Sequence, residues 1–213
     1  MKKLVLGSLV FISSSVSATP YMGLEYGAAT VKNDYQTNYV VDKKTVSPGK
    51  SSSVFGGFIG YNMTNNYAVE LSYKQFDLDG GESQKLTSDK DGYYLEREWE
   101  SDLSVKQISI KPVMFYSLSE KMQLKSGVGL TYSQYKYVSS SHDEYEHVLN
   151  DDIEINQMRT GGEHKKETAL GVVVSVGIDY DIYNNIRLGA GIEYYADNVA
   201  NGGNFTIQAS YFL

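Results

Sequence analysis

The residues of this chain with the greatest capacity for chemistry are three histidines in one polar segment. His142, His147 and His164 lie close to a run of carboxylates, namely Asp143, Glu144, Glu146, Asp151 and Asp152. Imidazoles and carboxylates bind zinc in proteins, but this spacing matches no zinc motif. The string DLDGGES at 77–83 also lacks the full ligand pattern of a calcium loop. We therefore expect a solvated acidic segment, and the sequence predicts no metal ligand and no cofactor.

Catalysis and nucleic-acid binding are both disfavoured by what the chain lacks. A Ser-His-Asp set needs a histidine on a rigid element, and no predicted strand contains one. The net charge of -7 and pI of about 5.0 argue against a nucleic-acid partner, which would select a basic face. The absence of cysteine excludes disulfides and Cys-ligated metals. The sequence therefore predicts that the protein is not an enzyme, with a lipid-modifying enzyme as the least favoured alternative.

A second set of candidate residues consists of charged side chains on the polar faces of predicted strands. They are Glu25, Glu70, Lys74, Lys111, Lys125, Arg187 and Glu193. Both signs occur on neighbouring strands, and a charge buried without a partner costs several kcal/mol. We expect an interior network of ion pairs and hydrogen bonds. The alternative is a proton or ion path, which the narrow interior of an eight-stranded barrel disfavours.

The elements that carry these charges are eight strands with two-residue periodicity. The closing strand at 204–213, NFTIQASYFL, puts Phe205, Ile207, Ala209, Tyr211 and Leu213 on one face, and Phe212 is the misfit on the other. Similar patterns predict seven further strands: at about 21–31, at 52–61, starting at 67, and at 103–116, 122–137, 168–180 and 186–195. Pro112 lies inside the fourth of these, so we expect a bulge or an early end to pairing there.

Short turns alternate with long polar segments, as in outer-membrane barrels. A soluble up-and-down barrel would share the alternation. The membrane alternative is favoured because the polar faces are rich in small residues and tyrosines lie near strand ends on the apolar faces. These tyrosines are Tyr61, Tyr67, Tyr73, Tyr116, Tyr180, Tyr194 and Tyr211. The fold class predicted is therefore all-β, an eight-stranded antiparallel up-and-down transmembrane β-barrel.

The N-terminus has the pattern of a secretory signal peptide. Lys2 and Lys3 precede a short apolar run, and Val16-Ser17-Ala18 fits a small-residue cleavage site. We predict a leader at 1–18 and a barrel domain at 19–213. Together with the terminal aromatic strand, this places the protein in the outer membrane of a Gram-negative bacterium.

The segment GGFIGYN, a short Asn-rich turn and YAVELSY resemble the small eight-stranded outer-membrane barrels, namely the OmpA transmembrane domain and the OmpX/Ail group. Length, leader and loop sizes are also similar to those of the AcfA-like accessory colonization factors. The resemblance implies a surface-exposed barrel with a role in adhesion or host colonization. One departure is Leu213, since the family usually ends in Phe.

Function is expected in the polar segments, because binding residues concentrate in loops on a rigid scaffold. Residues 78–102 hold eight acidic and three basic residues, whereas the first segment is rich in lysine. We take Tyr93, Tyr94, Trp99 and Tyr145 as possible partner contacts, with the alternative that 95–104 extends a hairpin and Trp99 packs internally. Expected partners are membrane lipid and lipopolysaccharide, the barrel-assembly machinery and a host-cell surface or matrix. The alternative function is a structural barrel that stabilises the envelope.

Overall fold

The computed structural model describes residues 19–88 and 90–213, with only the backbone at 150–153. The predicted leader at 1–18 lies outside the described residues. The strands are β1 (Pro20–Asn33), β2 (Thr37–Tyr39), β3 (Lys44–Val46), β4 (Ser51–Asn62), β5 (Tyr67–Leu86), β6 (Tyr93–Ser117), β7 (Met122–His147), β8 (Asn150–Met158), β9 (His164–Tyr183), β10 (Ile186–Ala196) and β11 (Ala200–Phe212). In the described part of the chain, no helix is long and apolar enough to cross a bilayer.

Eight of these strands form a closed antiparallel ring. The order is β6-β5-β4-β1-β11-β10-β9-β7, and pairing of β6 with β7 closes it. The last strand meets the first over its whole length, from Tyr21 opposite Phe212 to Asn33 opposite Ala200. The predicted eight-stranded barrel, with β11 as its closing strand, is confirmed.

The outer surface of the barrel is an apolar belt with an aromatic ring at each boundary. Leu24, Ile59 and Leu130 are more than half exposed in the middle of this belt. Exposed aromatic side chains near one boundary are Tyr26, Phe55, Tyr73, Tyr132, Tyr194 and Phe205, and near the other Tyr61, Tyr67, Tyr116, Tyr180 and Tyr211. Aromatic rings favour the two lipid–water interfaces, so the belt has the pattern of a surface that faces lipid.

The pairing around Pro112 differs from the prediction of a bulge or an early end. Pro112 pairs with Val69 of β5, and on the β7 side the register from Ile110–Leu130 resumes unchanged at Val113–Gly127. Gly129 makes this close approach possible, since a Cβ there would lie 2.1 Å from the carbonyl oxygen of Ile110. The missing proline N–H therefore interrupts the ladder locally and does not shift it.

The polar segments contain much more strand than their composition predicts. β5, β6 and β7 continue past the belt and are joined by β8, which pairs with β7 from His142–Met158 to His147–Asn150. We call this four-stranded extension, formed by residues 78–86, 93–103, 137–147 and 150–158, the upper sheet. The expectation of loops at 78–102 and in the polar segment that contains His142, His147 and His164 is corrected accordingly, because cross-strand pairing orders both segments.

The first polar segment folds into a hairpin that lies against the upper sheet. β2 pairs with β3, and Lys43 in their turn has a φ of 53°. Tyr39 and Val46 of this hairpin bury Trp99 of β6, which is 1% exposed. We call residues 37–46 the lid.

Candidate functional site

The charged residues predicted for the interior lie in the barrel lumen, on the inward phase of their strands. Lys74 Nζ lies 3.3 Å from Glu25 Oε2 and 2.9 Å from Glu193 Oε1, and Lys111 Nζ lies 2.6 Å from Glu193 Oε2. Thr206 also donates a hydrogen bond to Glu25. Glu25, Lys74, Lys111 and Glu193 are all buried. Each of them has the oppositely charged partner that a buried charge requires.

A second group lies nearer the short turns. Lys125 pairs with Glu70 at 2.5 Å, and the Tyr21 hydroxyl donates to Glu70 at 2.8 Å. Arg187 stands apart from both groups, since it pairs with Asp181 and lies over the ring of Phe212. The sequence prediction omitted Asp179, which is buried and accepts a hydrogen bond from Gln208. Its inward phase on β9 was the available signal.

Apolar clusters cover this polar layer on both sides. Below it, Tyr21, Phe58, Val113 and Phe115 pack together with Phe212, which explains why Phe212 breaks the pattern of the last strand. Above it lies a larger cluster that includes Phe76, Leu103, Tyr135, Tyr137 and Tyr195. The polar layer leaves a cavity of about 40 Å³, enough for a few water molecules. This geometry suits a structural role for the charges better than conduction.

Four charged residues hold the lid against the upper sheet, and we call them the clamp: Asp42, Arg97, Asp143 and Arg159. Arg97 Nη1 donates to Asp42 at 2.9 Å, and its Nε and Nη2 donate to the two carboxylate oxygens of Asp143 at 2.6 and 3.1 Å. Arg159 contacts the same two carboxylates at 3.2 to 3.5 Å. The hydrogen bonds to Asp143 raise the pKa of Arg97, so its guanidinium stays charged.

Hydroxyl groups also bind the lid to the inner face of the upper sheet. Thr37 Oγ1 lies 2.8 Å from both the Tyr137 hydroxyl and Ser139 Oγ, and Ser101 donates to the same tyrosine at 3.3 Å. Trp99 Nε1 donates to Asp42 at 3.2 Å. The inner face of the upper sheet is therefore covered by the lid, and its outer face is the one available to partners.

The four aromatic candidates divide between these two faces. Trp99 and Tyr145 are 1% and 6% exposed, so the expectation that they form an exposed contact patch is wrong, and Trp99 packs internally. They lie on the inward phase of their strands, on the side that the lid covers. Tyr93 is half-buried against the ring of His147, whereas Tyr94 is 60% exposed on the outer face.

The outer face of the upper sheet is acidic. Glu96, Glu98 and Glu100 alternate along β6, and Glu144 and Glu146 of β7 lie on the same face beside Glu154 of β8. Burial raises the pKa of Glu144, and the charges of Glu154, Glu98 and Glu146 raise it further. This face therefore concentrates negative charge well outside the lipid belt.

The sequence matches a family model described as "Outer membrane protein beta-barrel domain" over residues 4–212. The chain belongs to this family. It is accordingly a barrel of the Gram-negative outer membrane, with the belt in lipid and the upper sheet on the side of the long connections. No curated protein sequence is significantly similar to this barrel.

Solved structures of small outer-membrane barrels share the fold. Ail, the attachment invasion locus protein of Yersinia pestis, is 14% identical with a TM-score of 0.53, covering 93% of this chain and 100% of that one. OprG of Pseudomonas aeruginosa is also 14% identical with a TM-score of 0.53, at 91% and 95% coverage. Neisserial surface protein A is 13% identical with a TM-score of 0.52, at 92% and 99% coverage. At these identities the similarity establishes the architecture alone.

Proposed function

We propose that this barrel is a surface-displayed binding protein that attaches the bacterium to a host-cell surface or matrix through its upper sheet. The supporting observation is that three barrel strands continue beyond the lipid belt and, with β8, form one paired sheet. The clamp and the lid fix this sheet from its inner side. A rigid, exposed sheet loses little conformational entropy when a partner binds, which favours affinity.

The exposed groups indicate the chemistry of the contact. The outer face carries the glutamates described above, so it favours a partner with basic groups. Two turns next to it expose apolar side chains to water: Val40 and Val41 at the lid tip are 84% and 88% exposed, and Leu149 is 88% exposed. Ail has been crystallised with the heparin analogue sucrose octasulfate. The acidic face of this chain instead favours a cationic partner over a sulfated one.

The proposal includes the remaining partners and the maturation of the chain. The belt contacts membrane lipid and lipopolysaccharide, the barrel-assembly machinery inserts the barrel, and a signal peptidase cleaves after Ala18. We assign no reaction to the protein. The alternative, an envelope-stabilising barrel without a specific ligand, is favoured only by the filled interior, which a binding barrel needs equally.

Two truncations that preserve the clamp test the proposal. Replacing 85–96 with Asn-Gly joins Gln84 to Arg97, which are cross-strand partners, and replacing 144–156 joins Asp143 to Gln157 in the same way. Whole-cell adhesion to host cells is then measured at matched surface levels, with heat-modifiable gel mobility as the check of folding. An Asn65→Ala variant in a short turn at the opposite end is the control.

We expect at least one truncation to reduce adhesion to the level of cells that lack the protein, while the control adheres like wild type. Undiminished adhesion by both folded truncations would exclude the upper sheet as the contact surface. If wild-type cells adhere no better than cells without the protein, the envelope-stabilising alternative replaces the proposal.

A further inference from the structure

Three potential metal ligands meet on the outer face of the upper sheet. Glu98 of β6 and His142 of β7 are direct cross-strand partners, and Glu144 follows His142 on the same face of β7. One ligand atom from each residue lies within 4.8 Å of the others, and all three side chains are partly buried. The donors belong to two paired strands, so their spacing is fixed by the ladder.

The distances fit a tetrahedral zinc ion. Zinc–ligand distances of about 2.0 to 2.2 Å place neighbouring donor atoms of a tetrahedral site about 3.3 to 3.6 Å apart. His142 Nε2 and Glu98 Oε2 are 3.3 Å apart. A carboxylate oxygen of Glu144 lies within 4.8 Å of both donor atoms. A zinc ion held by these three ligands would leave the fourth position for water or for a group of a partner molecule.

The electrostatics of this face also favour a cation. Glu98 and Glu144 lie beside the further carboxylates Glu96, Glu146 and Glu154 on the same face of the sheet, so like charges repel one another there. A divalent cation between Glu98 and Glu144 would remove this repulsion.

The donor types select the class of metal. One imidazole nitrogen with two carboxylate oxygens suits zinc and similar transition metals, whereas calcium and magnesium prefer sites made of oxygen alone. The chain has no cysteine, so sites for thiolate-bound metals are excluded. The motif is invisible in the linear sequence, because Glu98 lies 44 residues before His142 and only strand pairing brings them together.

We propose that Glu98, His142 and Glu144 form a binding site for one zinc ion on the outer face of the upper sheet. This departs from the expectation, drawn from sequence spacing, of a solvated loop without metal ligands. His147 is not part of the site, because its Nδ1 accepts a hydrogen bond from the Leu149 N–H and its ring packs on Tyr93.

The test is calorimetric titration of zinc chloride into the protein, purified from outer membranes in detergent without a histidine tag and stripped with EDTA. Wild type is compared with His142→Ala, Glu98→Gln and Glu144→Gln, each checked by heat-modifiable gel mobility. His164→Ala is the matched control, since His164 is an exposed histidine at the start of β9. Calcium chloride is titrated in parallel.

We expect one zinc ion per wild-type chain. Loss of a group that only hydrogen-bonds to a metal ligand typically weakens a metal site 10- to 100-fold. Each variant that loses a ligand itself should therefore bind zinc at least about tenfold more weakly. His164→Ala should bind like wild type, and the parallel calcium titration should show no binding at this site. Absence of wild-type binding, or wild-type affinity in His142→Ala, would overturn the proposal. Equal loss in His164→Ala would show nonspecific binding to surface histidines and would also overturn it.

Discussion

Removal of the Asp42 carboxylate should loosen the lid without unfolding the barrel. Asp42 is 8% exposed at its side chain and accepts hydrogen bonds from Arg97, Arg159 and the Trp99 indole. Breaking a buried ion pair costs about 3 to 5 kcal/mol. Both arginines keep Asp143 as a partner in Asp42→Ala, so we expect a smaller cost of about 2 to 3 kcal/mol to lid closure.

That cost gives a measurable increase in the population of the open lid. Since about 1.4 kcal/mol corresponds to tenfold in an equilibrium constant, the open lid should become about 30 to 150 times more populated. Hydrogen exchange followed by mass spectrometry should show peptides covering 37–46 exchanging faster by this factor, with β9 to β11 unchanged. Trp99 is the only tryptophan, so its quenching by acrylamide is a second, independent readout of exposure.

Asp34→Ala is the matched control, because Asp34 is an exposed aspartate that precedes the lid in the same segment. It should leave exchange of the lid and quenching of Trp99 unchanged. If Asp42→Ala changes lid exchange by less than about threefold, the clamp does not hold the lid and the reasoning fails.

Three further predictions concern the interior, the chain terminus and the acidic face. Glu193→Ala leaves buried Lys111 without its ion-pair partner and leaves Lys74 with Glu25 alone, so it should lower the free energy of unfolding in urea by about 3 to 5 kcal/mol. A matched change at exposed Glu120 should cost less than about 0.5 kcal/mol, and equal costs would refute the network. Phe212→Ala removes a ring stacked 4.8 Å from the ring of Tyr21 and should lower the free energy of unfolding by about 1 kcal/mol or more in the same urea assay. Leu213→Phe, on the lipid side, should leave assembly unchanged or improved. Unchanged stability of Phe212→Ala together with impaired assembly of Leu213→Phe would contradict the inward facing of Phe212 and the outward facing of Leu213. Because the pKa of Glu144 is raised in the folded protein, ionisation of its carboxyl group opposes folding as pH rises through that pKa. In EDTA, Glu144→Gln should therefore protect β7 amides from hydrogen exchange at neutral pH but not in acid. Protection that is independent of pH would argue against the electrostatic cause.

The barrel itself could be predicted because the signals that identify its strands lie within each strand. Two-residue periodicity, short turns and aromatic residues at strand ends are properties of each strand alone, and they located all eight barrel strands. The inward phase also located Glu25, Lys74, Lys111 and Glu193. Their partners in space could not be assigned, because the pairs depend on barrel closure, which brings β5 and β6 side chains to Glu193 of β10.

Most of the upper sheet and the lid were missed for the opposite reason, although the alternative that 95–104 extends a hairpin is confirmed by β6. Segments such as 138–147 are largely polar on both faces, so they lack the apolar alternation that indicates a strand. Their pairing is stabilised by contacts between distant segments, such as Asp42 with Arg97 and Arg159. The same non-local pairing creates the cluster around His142.

The most direct test of the account is adhesion of intact cells before and after chemical blocking of the upper sheet. The chain has no native cysteine, so Ser83→Cys on the outer face, opposite Glu98, can be labelled alone with a membrane-impermeant polyethylene glycol maleimide. We predict that this variant labels on intact cells and then loses adhesion, while Asn65→Cys labels only after the outer membrane is permeabilised. Failure of Ser83→Cys to label on intact cells, or full adhesion after complete labelling, would contradict an outward-facing sheet that binds the host.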